Sequence, residues 1–113
     1  MLPIKFKPLG LYDLKRLGRN NDGGYLVCKN NIKESDCLIS FGINDDFSFE
    51  ESFQLLNKSE IFAFDPTVTN KFFYKHILFN LIKINFNLFI KSIKNFYNFK
   101  KFFNKKNNII TLK

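Results

Sequence analysis

The apolar positions of this chain change their spacing at Gly42 and again at Asp65, and these changes define its central elements. Cys37-Leu38-Ile39-Ser40-Phe41 is a short apolar run without charge, the pattern of a strand buried on both faces of a parallel sheet. Gly42 ends that run and is followed by Asn44, Asp45 and Asp46. Beyond them apolar residues recur at 49, 53 and 56, which is helical spacing, with Glu50 and Glu51 in a first turn whose dipole favours negative charge. Ser48, with Glu51 three residues on, has the form of a capping box. Ile61-Phe62-Ala63-Phe64 is a second apolar run, closed by Asp65 and by Pro66, which lacks the N–H that a central strand needs. The pattern predicts strand, helix, strand: a βαβ unit with a right-handed crossover.

The flanks are read with less periodicity to guide them. Leu2 to Leu11 holds two prolines and a glycine, which suits an extended arm or an edge strand. Tyr12 to Leu17 is open between a short helix and the start of a strand. Gly18 to Gly24 is rich in residues that tolerate positive φ and predicts a turn or hairpin loop, followed by a strand at Tyr25 to Cys28. Lys29 to Ser35 is expected to be a polar connector. After a loop at residues 66–70, where Thr69 or Asn70 is the candidate cap, no Pro or Gly interrupts Lys71 to Phe103. Apolar residues at 73, 77, 81 and 84, then at 89, 93, 96 and 97, and at 99, 102 and 103 predict one long or two shorter helices, with a break near Asn85-Phe86-Asn87. Asn108 to Leu112 reads as the beginning of another strand.

Gly42 and Asp65 fall at the carboxyl ends of the two predicted strands, where sheets of this kind bind ligands. A glycine there lets a ligand approach the backbone, and a carboxylate accepts hydrogen bonds from both hydroxyls of a ribose. The pair reads as a nucleoside site. A dinucleotide would call for G-x-G-x-x-G so that backbone N–H groups meet its pyrophosphate. Gly42 instead stands alone, and Asp45 and Asp46 would repel a pyrophosphate. An adenosyl ligand without phosphate and with a cationic centre, S-adenosylmethionine, fits that loop better.

Several short motifs then agree in order and spacing: Arg16-Leu17-Gly18, Asp22-Gly23-Gly24-Tyr25, Ser40-Phe41-Gly42-Ile43, Asp45, Ser48-Phe49-Glu50 and Phe64-Asp65-Pro66-Thr67. Together, over Leu14 to Thr67, they resemble the N-terminal part of an FkbM-like, class I S-adenosylmethionine-dependent methyltransferase domain. The resemblance implies an α/β fold with a partial Rossmann-like, doubly wound sheet. It implies that Phe41, Gly42, Ile43 and Asp45 line the cofactor and that Asp65 holds its ribose, with O-methyl transfer to a sugar or other small acceptor as the reaction. Many such enzymes carry an acidic residue where this chain has Ser40. The Asp22 to Tyr25 turn either reverses the chain or, as the resemblance implies, folds over the open edge of the pocket. Arg16 and Arg19 either meet a carboxylate there or are solvated.

The length of 113 residues bounds the chain to one small domain, with a cofactor-binding part to residue 67 and a basic helical part beyond. A complete sheet of the implied type takes on the order of 200 residues at usual element lengths. The chain is therefore expected to be a truncated form, weakly active or inactive by itself. Its catalytic base and acceptor pocket are expected in later strands, and a complementing chain is a candidate partner.

The net charge of +8 is unevenly placed. Up to Asp65, eight basic residues face ten acidic ones, whereas Thr67 to Lys113 carries ten lysines and no acid. That tail has two readings. Its phenylalanines pack on the sheet and its Lys, Asn, Phe and Ile reflect coding bias, or it is an interfacial helix binding a membrane surface or polyanion. No nucleic-acid motif accompanies it. Cys28 and Cys37 match no metal-ligand spacing and are expected to be buried structural thiols. His76, the single histidine, reads as an exposed or half-buried helix residue. No N-terminal signal pattern is visible, so a cytoplasmic setting is expected.

Overall fold

The computed structural model describes Pro3, Lys5 and residues 10–20, 23–105 and 108–111. Most of the expected N-terminal arm, Asp22 of the glycine turn and Leu112 lie outside these residues.

β1 (Leu14–Leu17) pairs antiparallel with β2 (Tyr25–Cys28), Leu17 lying opposite Tyr25, which resolves the open choice at residues 12–17 in favour of a strand. The hairpin between them is closed by glycine. Gly18 has φ +81, and a Cβ there would come within 2.1 Å of the Gly23 carbonyl oxygen. The expected polar connector is instead a short helix, α1 (Lys29–Glu34), which buries Ile32. A lone apolar residue sets up no period, so the pattern could not reveal it.

β3 (Cys37–Phe41), α2 (Ser48–Leu56) and β4 (Glu60–Phe64) form the expected strand, helix and strand, and β3 pairs parallel with β4. α3 (Asn70–Ile82) and α4 (Phe86–Phe103) follow, and β5 (Asn108–Thr111) adds in parallel to the other side of β4. The chain is thus mixed α/β around a parallel sheet of order β3-β4-β5. Thr69 caps α3, its hydroxyl accepting from Phe72 N–H at 3.2 Å. The helices part at Lys83 to Asn85, two residues before the expected break, and Asn85 Oδ1 accepts from Leu88 N–H at 3.1 Å.

Strand order advances in one direction across the sheet, so crossovers of a single hand place α2 and the α3–α4 pair on the same face. Against Ile61 and Ala63, both fully buried, pack Phe53 of α2 and Phe99, Phe102 and Phe103 of α4, joined by Phe47, Val68 and Phe73. Buried Asn108 accepts from Gln54 Nε2 at 2.6 Å and donates to the Phe102 carbonyl at 2.9 Å, tying β5 to both layers.

The opposite face carries Cys37, Ile39, Phe41, Phe64 and Ile109, all exposed. This corrects the expectation that Cys37–Phe41 is buried on both sides. β3 is an edge strand in the described sheet, and its burial alternates with the two-residue period of a strand covered on one face. For the same reason the Cys37 thiol is exposed, not buried, while Cys28 is half-buried and both are free. The molecule is elongated, 53 × 38 × 24 Å, with a radius of gyration of 17.0 Å. Among the described residues, no helix is long and apolar enough to cross a membrane.

Candidate functional site

Beyond the carboxyl end of β3 lies a cleft of about 580 Å³, walled by residues 39–46, by Phe49 and Glu50 of α2, and by Arg19, Gly23 and Tyr25. Gly42 turns the chain there at φ +67 and, through its N–H, extends the ladder to the Phe64 carbonyl at 3.1 Å. A Cβ at Gly42 would meet nothing within 4 Å. Backbone conformation, not crowding, requires glycine, and the space above the turn is open.

Polar side chains fix the loop on every side. Asp46 pairs with the Arg19 guanidinium at 3.6 Å and accepts from Ser48 N–H at 3.1 Å. Asn95 of α4 donates to both the carbonyl and the carboxylate of Asp45. Ser48 does not cap its own helix. Its hydroxyl accepts from Arg19 N–H at 3.0 Å, as that of Ser52 accepts from Gly18 N–H at 3.1 Å, so one face of α2 pins the glycine turn. A Cβ on Gly23 would lie 2.4 Å from an Asp46 oxygen, which shows how closely that turn sits on the loop. Arg16 donates to the Arg19 carbonyl at 3.0 Å, so both arginines brace the turn.

Of the residues expected at the site, Phe41, Gly42, Ile43 and Asp45 line the cleft. Asp65 lies outside that lining, behind the loop and 3% exposed. Its Oδ2 accepts from Asn44 N–H at 2.7 Å, and its Oδ1 from Thr67 N–H at 2.8 Å, Thr67 Oγ1 at 2.6 Å and Val68 N–H at 3.3 Å. Burial acts to raise its pKa, but the hydrogen bonds from the Thr67 hydroxyl and these three N–H groups outweigh it and hold the carboxyl below its ordinary value.

Glu50 is the residue that the sequence pattern missed. As a first-turn acid it reads only as a complement to the helix dipole, yet it is 3% exposed and lies in the cleft wall. Its Oε1 accepts from the Ser40 hydroxyl, while Oε2 is buried with no hydrogen-bond partner. Burial pushes its carboxyl above the usual range, against the pull of the Ser40 hydroxyl and a backbone N–H, and nearby Asp46 adds to the rise. Strand alternation could have found it, since Ser40 lies on the covered face of β3 and must meet a residue of α2.

A smaller cavity of about 340 Å³ shares Arg19 and Asp45 with the cleft and is bounded by His76, Lys91 and Lys94 of the helical pair. His76 is exposed and packs on Phe72 with ring centres 4.5 Å apart. Among the described residues no cluster of His, Cys, Asp or Glu could hold a metal ion. Comparison of the chain with protein-family models, curated proteins and solved structures finds no match.

Proposed function

We propose that this chain is the cofactor-binding part of a Rossmann-like, S-adenosylmethionine-dependent methyltransferase of the FkbM-like kind that its motifs resemble, serving O-methyl transfer to a sugar or other small acceptor. The observation that carries the reading is the unpartnered, buried Glu50 Oε2 in a cleft at the carboxyl end of β3. A buried carboxylate oxygen without a donor favours a cationic ligand group, and this cofactor has two, an ammonium and a sulfonium. Glu50, anchored through Ser40, supplies the acidic group that the strand residue itself lacks. Asp45, Asp46 and Glu50 together oppose a pyrophosphate.

In this reading the backbone of Phe41 to Ile43 receives the adenosine and methionine ends, with Gly42 leaving room for close approach. Asp65 is a positioning residue: it is buried and bonded to the loop that it holds, so it sets the height of the Gly42–Asn44 turn. When bound, the cofactor supplies an electrophilic methyl group. The chain's own residues bind it, orient it and confine it for in-line attack by an acceptor oxygen.

A thermal melt with and without S-adenosylmethionine or S-adenosylhomocysteine tests the reading. Ligand at about a hundred times its Kd adds about 2.7 kcal/mol, a shift of several degrees. Glu50→Gln, which keeps the side-chain shape, is expected to abolish most of that shift. A cooperative melt that neither ligand moves would overturn the assignment.

A further inference from the structure

The α3–α4 hairpin is tied to the body at its base and through Asn95, which donates to Asp45, and its far end projects beyond these contacts. Phe73 and Phe99 are buried, but from Tyr74 to Asn98 no residue is. What is half-buried there includes Asn80 and Ser92, whose side chains bond across the hairpin at 2.6 Å. The far end is apolar and bare: Leu78, Phe79, Ile82, Ile84, Phe86 and Ile90 are all exposed, Ile84 at 78% and Ile82 at 69%. Lys83 sits among them with its ammonium 4.3 Å from the centre of the Phe79 ring, its stem lying along apolar surface. No acidic residue occurs between Pro66 and Lys113, where there are ten lysines.

We propose that the tip of this hairpin docks on an anionic lipid bilayer, a surface separate from the cleft. Charge complementarity selects the partner, because a tail of lysines without acids is attracted to an anionic leaflet by about 1 kcal/mol for each lysine near it. The apolar tip selects a bilayer over other polyanions. Nucleic acid rewards aromatic faces that stack on bases, whereas four of the six exposed apolar side chains named at this end, Leu78, Ile82, Ile84 and Ile90, are aliphatic, beside the rings of Phe79 and Phe86. Neither helix can span the membrane, so the hairpin inserts its end at the headgroup and acyl boundary while Lys83 remains among the headgroups.

The full chain is tested by co-sedimentation with phosphatidylserine/phosphatidylcholine vesicles and with phosphatidylcholine alone. Binding is expected to the anionic vesicles and to weaken about tenfold without phosphatidylserine or in high salt. The variant Ile84→Asn/Phe86→Ser removes the two apolar side chains at the turn while keeping its backbone, because Ile84 has φ +53 and Asn tolerates that region better. It is expected to bind anionic vesicles about tenfold less, with its melting unchanged or raised. The chain has no tryptophan, so Phe86→Trp gives a single emitter, whose emission should shift to the blue on vesicle binding. Failure to sediment with anionic vesicles, undiminished binding by the double variant, or preference for a single-stranded oligonucleotide over vesicles would each overturn the proposal. So would a dimer that the double variant dissociates, found without vesicle binding.

Discussion

The β3–α2–β4 unit and the α3–α4 hairpin adjoin in one small chain but hold their shapes by different means. In the unit, polar side chains act as braces: Asp65 gathers three backbone N–H groups, Ser48 and Ser52 pin a turn, and Asn57 Nδ2 donates to the Ile32 and Ser35 carbonyls. In the hairpin, order comes from aromatic packing at its base, where Phe73, Phe99 and Phe103 meet, and little binds the far end to anything but itself. Loops that must keep a ligand-sized space need directional bonds, since apolar packing would fill the space. A projecting end needs only its own seam.

The sharpest way to break this contrast is to remove one phenylalanine at each end of α4. Phe99 touches Phe47, Phe73 and Phe103, and Phe99→Ala is expected to cost about 3–5 kcal/mol in denaturant melts. Phe86→Ala, at the exposed end, should stay within about 0.5 kcal/mol. Equal losses would mean that the hairpin is packed along its whole length.

Asp65→Ala probes the braces. It leaves three N–H groups without their acceptor and is expected to cost about 3 kcal/mol. The native carboxyl lies below its unfolded value of about 3.8, so its contribution is present above that value and is lost as pH falls through the folded pKa. The variant should therefore lose the corresponding acid-induced drop in stability, which a pH series of melts would show.

The smallest effect, and of opposite sign, belongs to Glu50. Its folded pKa is raised above about 4.5, so the folded chain favours the protonated form, and stability from this group is lost as pH rises through the folded pKa. Glu50→Gln should raise stability at neutral pH by less than about 1 kcal/mol and leave it unchanged in acid. Destabilisation at neutral pH would show that the carboxylate is a structural brace like Asp65.

Much of the βαβ unit was legible because apolar runs and the change to helical spacing at Phe49 are local signals. The break between α3 and α4 and the cap at Thr69 were legible for the same reason. Three features were not. Ile32 is a single apolar residue in a polar stretch and gives no period. Ser48 looks like a cap, but its hydroxyl is taken by Arg19 N–H from 29 residues away, a tertiary demand with no local trace. Ile39 and Phe41 read as doubly buried because an unbroken apolar run cannot say how many neighbours cover it. At the site, Gly42 followed from the strand end, and Phe41, Ile43 and Asp45, expected from the resemblance, line the same cleft, while Asp65 being tied to the loop and Glu50 being buried both depend on contacts between elements.

The bare face of β3 joins an edge whose backbone groups have no neighbouring strand among the described residues. An apolar, unpaired edge is a template for adding further strands, so concentrated protein is expected to self-associate in an open-ended way instead of stopping at a defined oligomer. Ile39 lies at the centre of that edge strand, and Ile39→Lys would place a charge beside each added copy, a substitution expected to blunt the association. Handling of the chain at high concentration is thus governed by a surface distinct from both the cleft and the hairpin tip.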